Sequence, residues 1–200
     1  MRIRQLENGY LDNFTYLVGC EATHKALVID PGPETEEILT AAEKEGLAIE
    51  MIVNTHGHGD HTAGNAALKA RTGARLLIHQ GDADRFPQAD HFLTDETTLR
   101  LGQITFQIIH TPGHTPGGIC LYAQGNLFTG DTLFVGDSGR TDLAGGHRPT
   151  LAASIRRLMQ LPDDTVVWPG HDYGPTRFST IGWEKGHNVN AREYGYFVKE

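Results

Sequence analysis

Cysteine is scarce in this sequence: Cys20 and Cys120 are the only two among 200 residues. They form no C-x-x-C motif, and two residues cannot build the disulfide framework of a small secreted domain. A single disulfide bond between them is compatible with the sequence. We nevertheless expect two buried free thiols in a reducing compartment, and we predict a cytoplasmic location.

Long apolar runs and basic runs are also missing. No stretch reaches membrane-spanning length, and Met1–Leu6 contains no apolar signal core, so we expect no membrane association. The formal net charge is −8 and Lys/Arg-rich runs are absent, which argues against a nucleic-acid partner. With 38% hydrophobic residues, the composition predicts a globular protein. We expect one domain over residues 1–200, acting as a monomer or homodimer.

The most informative stretch is Thr55–His61, whose sequence is T-H-G-H-G-D-H. It follows an apolar segment, 51–54, that predicts a short buried strand, and it precedes a segment, 62–72, that predicts a helix. A lone His-x-His pair would be read as surface histidines in a polar loop. Three histidines and an aspartate within six residues of a strand end are a far more specific signal for a metal site.

The spacing inside this motif bears on how many ions it could hold. His56 and His58 are two residues apart, so on extended backbone their side chains point to the same side. Asp60 and His61 are adjacent and must point differently. This arrangement suits two metal ions side by side better than one, and the glycines Gly57 and Gly59 would let the backbone turn tightly. Imidazole and carboxylate ligands together suit zinc, iron or manganese.

Three further candidate ligands lie downstream, each directly after an apolar run that predicts a strand. They are His114 in T-P-G-H-T-P-G, Asp131 in F-T-G-D-T-L-F and His171 in W-P-G-H-D-Y. Each alone would be read as an ordinary loop residue. Together with the first motif, and in this order, they resemble the ligand signature of the metallo-β-lactamase-fold superfamily. The resemblance covers residues from about 12 to 185.

The remaining pattern alternates groups of strands with helices, which indicates an α/β or α+β fold. An antiparallel meander is predicted over residues 2–30, a helix from Pro33 or Glu34 to about Gly46, and an amphipathic helix over 149–160. The segment 86–99 looks irregular, and we expect it to form a rim of the site. The resemblance implies a sharper fold: an αββα four-layer sandwich of two mixed sheets packed face to face, with helices outside and the metal loops along one edge.

The resemblance also implies a ligand set for two divalent ions, with zinc the first choice and iron or manganese the alternatives. One ion would take His56, His58 and His114, and the other Asp60, His61 and His171. Asp131 would bridge the two ions, which makes Asp60 and Asp131 the carboxylates of the catalytic centre. Metal ions would lower the pKa of bound water to roughly 7, so that hydroxide is available at neutral pH.

The implied reaction is hydrolysis of a small-molecule thioester by a hydroxide bridging the two metal ions. No general acid accompanies the ligands, and a thiolate with a parent pKa near 8.5 can leave without one, whereas an amine cannot. The segments around Asp131 and His171 resemble glyoxalase II, which hydrolyses S-acylglutathione. Glyoxalase II also has a helical C-terminal domain that binds glutathione. Few residues follow His171, so we expect contacts of that kind to be missing.

Two other classes remain open. The segment G-R-T-D-L, residues 139–143, is similar to small bacterial glyoxalase II-like hydrolases and equally to persulfide dioxygenases. The latter use one iron held by residues that match His56, His114 and Asp131, and O2 as oxidant. They usually carry a cysteine where this sequence has Ser138. The third class, a metal-binding module without turnover, is disfavoured by the complete ligand set.

Several residues outside the ligand set have two interpretations each. Arg140 either contacts the substrate or pairs with a neighbouring aspartate, and Tyr173 is either a substrate contact or a packed loop aromatic. Asp30, after a predicted strand, either supports the metal loop or only precedes a turn. We interpret His79 and His91 as structural or surface residues, and His110 as a strand end close to the site.

Overall fold

The computed structural model describes residues 1–9 and 11–193, and its described part contains two six-stranded sheets. The single domain predicted over residues 1–200 also includes residue 10 and residues 194–200, which lie outside the described residues. The first sheet has the spatial order β1-β2-β3-β4-β5-β6, with the bounds Arg2–Glu7 (β1), Phe14–Cys20 (β2), Lys25–Ile29 (β3), Ala48–Val53 (β4), Arg75–His79 (β5) and His91–Leu93 (β6).

The second sheet has the order β12-β11-β10-β9-β8-β7. Its strands are Thr98–Leu101 (β7), Ile104–His110 (β8), Ile119–Ala123 (β9), Asn126–Gly130 (β10), Val166–Pro169 (β11) and Ser179–Thr180 (β12). Both sheets are mixed. In the first, β1, β2 and β3 form the predicted antiparallel meander and β3 to β6 run parallel. In the second, only the β10–β11 pair is parallel.

Helices cover the outer faces of both sheets. Their bounds are Thr35–Lys44 (α1), Gly59–Thr62 (α2), Asn65–Thr72 (α3), Arg148–Leu158 (α4), Ile181–His187 (α5) and Val189–Glu193 (α6), with a 3₁₀ helix at Gln80–Arg85. Helix α4 has Pro149 in its first turn, as predicted. Within the described residues, no helix combines the length and apolar character needed to cross a bilayer.

Strand alternation explains why three apolar layers form. Along β2, Phe14, Tyr16 and Val18 point between the sheets, whereas Leu17 points to the helices on the outer face. All of them are buried, so each side chain contributes roughly 1.5–3 kcal/mol to folding. The other layers follow the same rule, which gives one core between the sheets and one under the helices on each side. The predicted four-layer α/β sandwich is therefore confirmed. Cys20 and Cys120 are both buried and free, as expected.

One predicted helix begins later than expected, and one prediction of local structure was wrong. The helix predicted over 62–72 is present as α3 but begins at Asn65, and the separate short helix α2 precedes it, because the backbone at Gly64 approaches the first sheet's loops: Gly64 N donates to Pro31 O at 3.0 Å. A Cβ at Gly64 would lie 2.3 Å from Gly32 O. The segment 86–99 is not an irregular rim of the site, because His91–Leu93 and Thr98–Leu101 pair as edge strands of the two sheets.

His79 and His110 connect the two sheets where β5 and β8 end. Their rings stack with centroids 4.0 Å apart and an interplanar angle of 18°. His79 Nδ1 accepts a hydrogen bond from Gly81 N at 3.1 Å, and His110 Nε2 donates to Pro116 O at 3.0 Å. Burial, followed by the neighbouring His110, lowers the pKa of His79 to about 4. The predicted structural role of His79 is confirmed, and His91 is exposed on β6.

This stack predicts a pH-dependent loss of stability. Unfolded His79 binds a proton near its ordinary pKa of 6.5, but folded His79 does so only near 4, so the unfolded state binds more protons between these values. Stability should therefore fall as pH drops from 6.5 towards 4. In His79→Asn, which keeps an acceptor for Gly81 N, the loss between pH 7 and 5 should be smaller by on the order of 1 kcal/mol, measured by urea unfolding. The exposed variant His91→Asn should behave like the parent protein; an unchanged slope in His79→Asn would refute the prediction.

Candidate metal centre

The predicted ligands converge at one edge of the sandwich. His56 follows β4, His114 follows β8, Asp131 follows β10 and His171 follows β11, so strand ends from both sheets meet at this edge. The sheets are joined here directly, because Ile119 N donates to Thr55 O at 2.8 Å. Asp60 and His61 lie in α2, one turn beyond the first two histidines. All seven side chains predicted as ligands are brought together.

The first group of ligands consists of His56, His58 and His114. His58 Nδ1 lies 3.1 Å from His56 Nε2 and 2.9 Å from His114 Nε2. Metal–nitrogen bonds of about 2.0–2.1 Å place two ligand nitrogens of one ion about 3.0–3.4 Å apart. The observed separations therefore match three nitrogens that share an ion.

The second group consists of Asp60, His61 and His171. His61 Nε2 and His171 Nε2 are 3.1 Å apart, and Asp60 Oδ2 lies 3.4 Å from the first and 3.6 Å from the second. Asn13 Nδ2 donates to Asp60 Oδ2 at 2.9 Å, which fixes this carboxylate. One nitrogen of each imidazole and one carboxylate oxygen again face a common point.

Asp131 lies between the two groups. Its Oδ1 is 3.3 Å from His61 Nε2, and its Oδ2 is 3.4 Å from His114 Nε2 and 3.3 Å from His171 Nε2. Oδ1 is buried and has no hydrogen-bond donor among the described residues. No hydrogen bond therefore stabilises the negative charge on this oxygen. Burial raises the pKa of Asp131, but the imidazoles of His61 and His56 outweigh it and hold the pKa well below its ordinary value.

Hydrogen bonds at the outer nitrogens fix the tautomers of the imidazoles. His114 Nδ1 donates to Arg140 O at 2.7 Å and His171 Nδ1 donates to Leu11 O at 2.8 Å. Since carbonyl oxygens only accept, Nε2 of each ring in its neutral form carries a lone pair directed at the cluster. His114 Nε2 lies 2.9 Å from His58 Nδ1, and His171 Nε2 lies 3.1 Å from His61 Nε2. Lone pairs that face each other at such distances repel unless a cation lies between them. The donor set therefore fits divalent metal ions, and His and Asp together are ligands of zinc and iron alike.

Asp30 supports the motif from behind, so the interpretation of it as only a turn residue is wrong. It is 3% exposed, and its Oδ2 accepts from His61 Nδ1 at 3.1 Å and from Thr55 Oγ1 at 2.6 Å. Its Oδ1 accepts from Thr55 N at 2.7 Å. Thr55 Oγ1 in turn lies 3.1 Å from His56 Nδ1 and can accept from it. Burial lowers the pKa of His61, but Asp131 and Asp30 outweigh this and raise it to about 9.

A second buried carboxylate, Asp82 in the 3₁₀ helix, holds two metal loops together. Its Oδ2 accepts from Gly57 N at 2.8 Å and from Thr115 Oγ1 at 2.9 Å, and its Oδ1 accepts from Gly117 N at 2.9 Å. Gly57 favours this close packing rather than a left-handed turn, because a Cβ there would lie only 3.1 Å from Asp82 Oδ2. Gly59 faces open space.

Sequence reasoning missed Asp82, Asn13 and the carbonyl of Leu11. Asp82 had a usable signal, because it is an acidic residue shortly after a predicted strand, as Asp30 and Asp131 are. Asn13 and Leu11 lie in the loop between β1 and β2, which carries no motif. They reach the cluster through backbone pairing: Asn13 forms an isolated bridge with His171, and Asp172 N donates to Asp12 O at 2.8 Å.

The two predicted substrate contacts border a cavity of about 530 Å³ above the cluster. Tyr173 is half exposed and stacks on His171 with centroids 4.6 Å apart. The guanidinium of Arg140 forms two hydrogen bonds with Asp142, from Nε at 2.6 Å and from Nη2 at 2.7 Å. This pair is the structural alternative considered for Arg140, although the side chain still lines the cavity.

Comparison with known proteins gives concordant matches. The family described as the metallo-beta-lactamase superfamily matches residues 9–171. A hydroxyacylglutathione hydrolase of Polaromonas sp. strain JS666 is 41% identical over 165 residues, which are 80% of this chain and 62% of that protein. The chain thus spans less than two thirds of the length of this relative.

Two solved structures superpose closely on the chain. ETHE1 from Myxococcus xanthus has a TM-score of 0.89 at 37% identity, covering 94% of this chain and 84% of the other. TTHA1623 in a di-iron-bound form has a TM-score of 0.82 at 32% identity, covering 93% of this chain and 98% of the other.

The contact between Asp30 and His61 predicts a role in metal affinity. Asp30→Asn keeps the size of the side chain but replaces one acceptor oxygen by an amide, so His61 Nδ1 or Thr55 loses its acceptor. Loss of such a supporting group typically costs about 10- to 100-fold in metal affinity. We expect that loss for Asp30→Asn in a competition titration with a chelator. The control Asp90→Asn, at a distant loop where Asp90 pairs with Lys69, should bind metal like the parent protein; equal affinity of both variants would contradict the prediction.

Proposed function

This chain belongs to the metallo-β-lactamase superfamily, and on that basis we propose that it hydrolyses small-molecule thioesters with the help of two divalent metal ions. The observation that carries the proposal is the arrangement of two ligand groups that share Asp131, with imidazole lone pairs facing inward at about 3 Å. His56, His58 and His114 would hold one ion, and Asp60, His61 and His171 the other. The printed name of the Polaromonas relative points to S-acylglutathione as one such thioester.

Bound ions would supply a water-derived nucleophile at neutral pH and would polarise the carbonyl of the substrate. The chain's own residues would position the ions and balance part of their charge. Asp131, between the two groups, would hold the ions at a fixed spacing, and its charge together with that of Asp60 would compensate part of theirs. The reaction breaks the C–S bond and forms a C–O bond. Because a thiolate leaves without being protonated, the site needs no general acid.

Substrate positioning would fall to the walls of the cavity. Tyr173, stacked on His171 and half exposed, would provide an apolar contact, and Arg140, which lines the same cavity, would provide a polar one. We propose zinc as the first choice for the metal. Iron is the main alternative because the similar protein TTHA1623 is known in a di-iron-bound form, and manganese would accept the same ligands.

We further propose that the chain acts in a reducing compartment, namely the cytoplasm, as one domain and as a monomer or homodimer. One observation supports the location: Cys20 and Cys120 are both buried and free.

Oxidation of a persulfide at a single iron is the alternative function. The observation in its favour is that His56, His114 and Asp131 form a set of two histidines and one carboxylate, which leaves positions open for substrate and O2. The complete second group disfavours it, since a mononuclear site would have no use for Asp60, His61 and His171.

The two functions differ in metal content, O2 consumption and product. Protein purified without added zinc should contain two metal ions per chain, release thiol from S-lactoylglutathione or a simpler thioester, and consume no O2 with glutathione persulfide. His171→Ala should reduce thiol release by at least about 100-fold and lower the metal content towards one ion, because it removes a ligand of the second group only. The measurements are elemental analysis, a thiol assay and an oxygen electrode.

The exposed variant His91→Ala is the control and should match the parent protein in all three measurements. One iron per chain, rapid O2 uptake and no thiol release would favour the persulfide dioxygenase instead. Full thiol release and full metal content in His171→Ala would show that the assignment of the second group is wrong.

A further inference from the structure

Beside the ligands, four large apolar side chains line the cavity: Leu11, Phe134, Leu143 and Tyr173. Leu11, Leu143 and Tyr173 are the exposed members of this set, and we call these three residues the apolar rim. They are among the most exposed large hydrophobic residues of the described chain: Leu11 is 39% exposed, Leu143 is 41% and Tyr173 is 52%. Phe134 packs edge-on against Tyr173 with ring centroids 5.4 Å apart and extends the surface inward. A substrate chain lying here would bury apolar area on both partners.

The charges around the same opening do not favour an anionic substrate. Among the described residues that line the cavity, Arg140 is the only arginine or lysine. Its guanidinium is bound on two nitrogens by the carboxylate of Asp142, so the pair has no net charge. Asp137 also lines the cavity and adds a negative charge. Away from the ligand cluster, the opening is therefore neutral to negative.

These two features constrain the thiol part of the substrate. Glutathione carries two carboxylates and one ammonium group, and its carboxylates would meet Asp137 and an arginine that is already compensated. An uncharged thioester would meet no such repulsion, and its aliphatic chain would contact the apolar rim. Resting on the thioester hydrolysis proposed above, we infer that the preferred substrate has an uncharged thiol part and an aliphatic chain of several carbons that lies on Leu11, Leu143 and Tyr173.

The inference predicts an order of substrates. With the metal-loaded protein, the hexanoyl thioester of N-acetylcysteamine should have a kcat/KM about ten-fold or more above that of the acetyl thioester, the effect expected from burying two of the four additional methylenes. The hexanoyl thioester of glutathione should be poorer than that of N-acetylcysteamine by about five-fold, the upper range for one exposed charge contact.

The variant Leu143→Ser tests whether the preference for the hexanoyl thioester comes from the apolar rim or from a general effect of chain length. It should reduce the hexanoyl-to-acetyl ratio by at least about three-fold, because it removes one wall of the rim. Phe92→Ser is the matched control, since Phe92 is also 41% exposed but lies on the edge strand β6 and does not line the cavity. This control should leave the ratio unchanged.

Binding measurements keep the inference separate from the proposed reaction. The non-hydrolysable thioethers S-hexyl-N-acetylcysteamine and S-hexylglutathione carry the same chain and can be compared by calorimetry even if no thioester is cleaved. Tighter binding of the uncharged thioether, weakened in Leu143→Ser but not in Phe92→Ser, supports the inference. Preference for the glutathione compounds in binding or in kcat/KM, or an unchanged ratio in Leu143→Ser, overturns it. Absence of thioester cleavage together with the predicted order of binding would count against the reaction alone.

Discussion

The hydrogen bonds on the outer side of the imidazoles are the constraint on which the site depends. His61, His114 and His171 each hold a proton on Nδ1 by donating it to an acceptor that cannot donate in return: Asp30, Arg140 O and Leu11 O. In its neutral form, each ring then directs its Nε2 lone pair at the same small volume. The resulting crowding of lone pairs and carboxylates is unfavourable in the absence of cations, so the fold stores a local electrostatic cost that bound metal relieves. The fold remains stable despite this cost, because the three apolar layers of the sandwich contribute to stability independently of the metal site.

The sequence predicts those parts of the fold and of the site that are marked by a short local pattern of residues. The motif 55–61 and the loops of His114, Asp131 and His171 are short patterns after apolar strands, and the strands bring them together as expected. The supporting contact of Asn13 could not be read in the same way, because its loop carries no motif and reaches Asp60 only through pairing between segments far apart in the chain. Asp82 had a local signal, its position shortly after a predicted strand, but its contact with Gly57 could not be read from that signal. The edge strands β6 and β7 were missed for a related reason: with three and four residues, their polarity pattern is too short to stand out from a loop.

The loop that follows Asp131 shows how the outer layer of helices reaches the site. Glu184 in α5 is fully buried and accepts hydrogen bonds from Gly136 N at 3.0 Å and from Asn188 Nδ2 at 2.7 Å. Asn188 in turn donates to Asp137 O at 2.8 Å. Burial raises the pKa of Glu184, although these donors oppose the shift. The loop that carries Asp137 is thus held by buried polar groups of the outer helices as well as by its own short-range hydrogen bonds, such as Phe134 N to Asp137 O at 2.9 Å.

The pairing of the β1–β2 loop with the loop of His171 has a consequence for how the protein is made. Leu11 O accepts the hydrogen bond from His171 Nδ1 across a separation of 160 positions, and Asn13 pairs with the same residue. During synthesis, the first sheet and the histidines of its loop emerge from the ribosome long before their last partner. The strands of the first sheet therefore leave the ribosome early, but the ligand cluster can close only after His171 has been synthesised. Until then, an ion held by the early histidines would lack the complete second group, so the full ligand set forms only once strands of both sheets are in place.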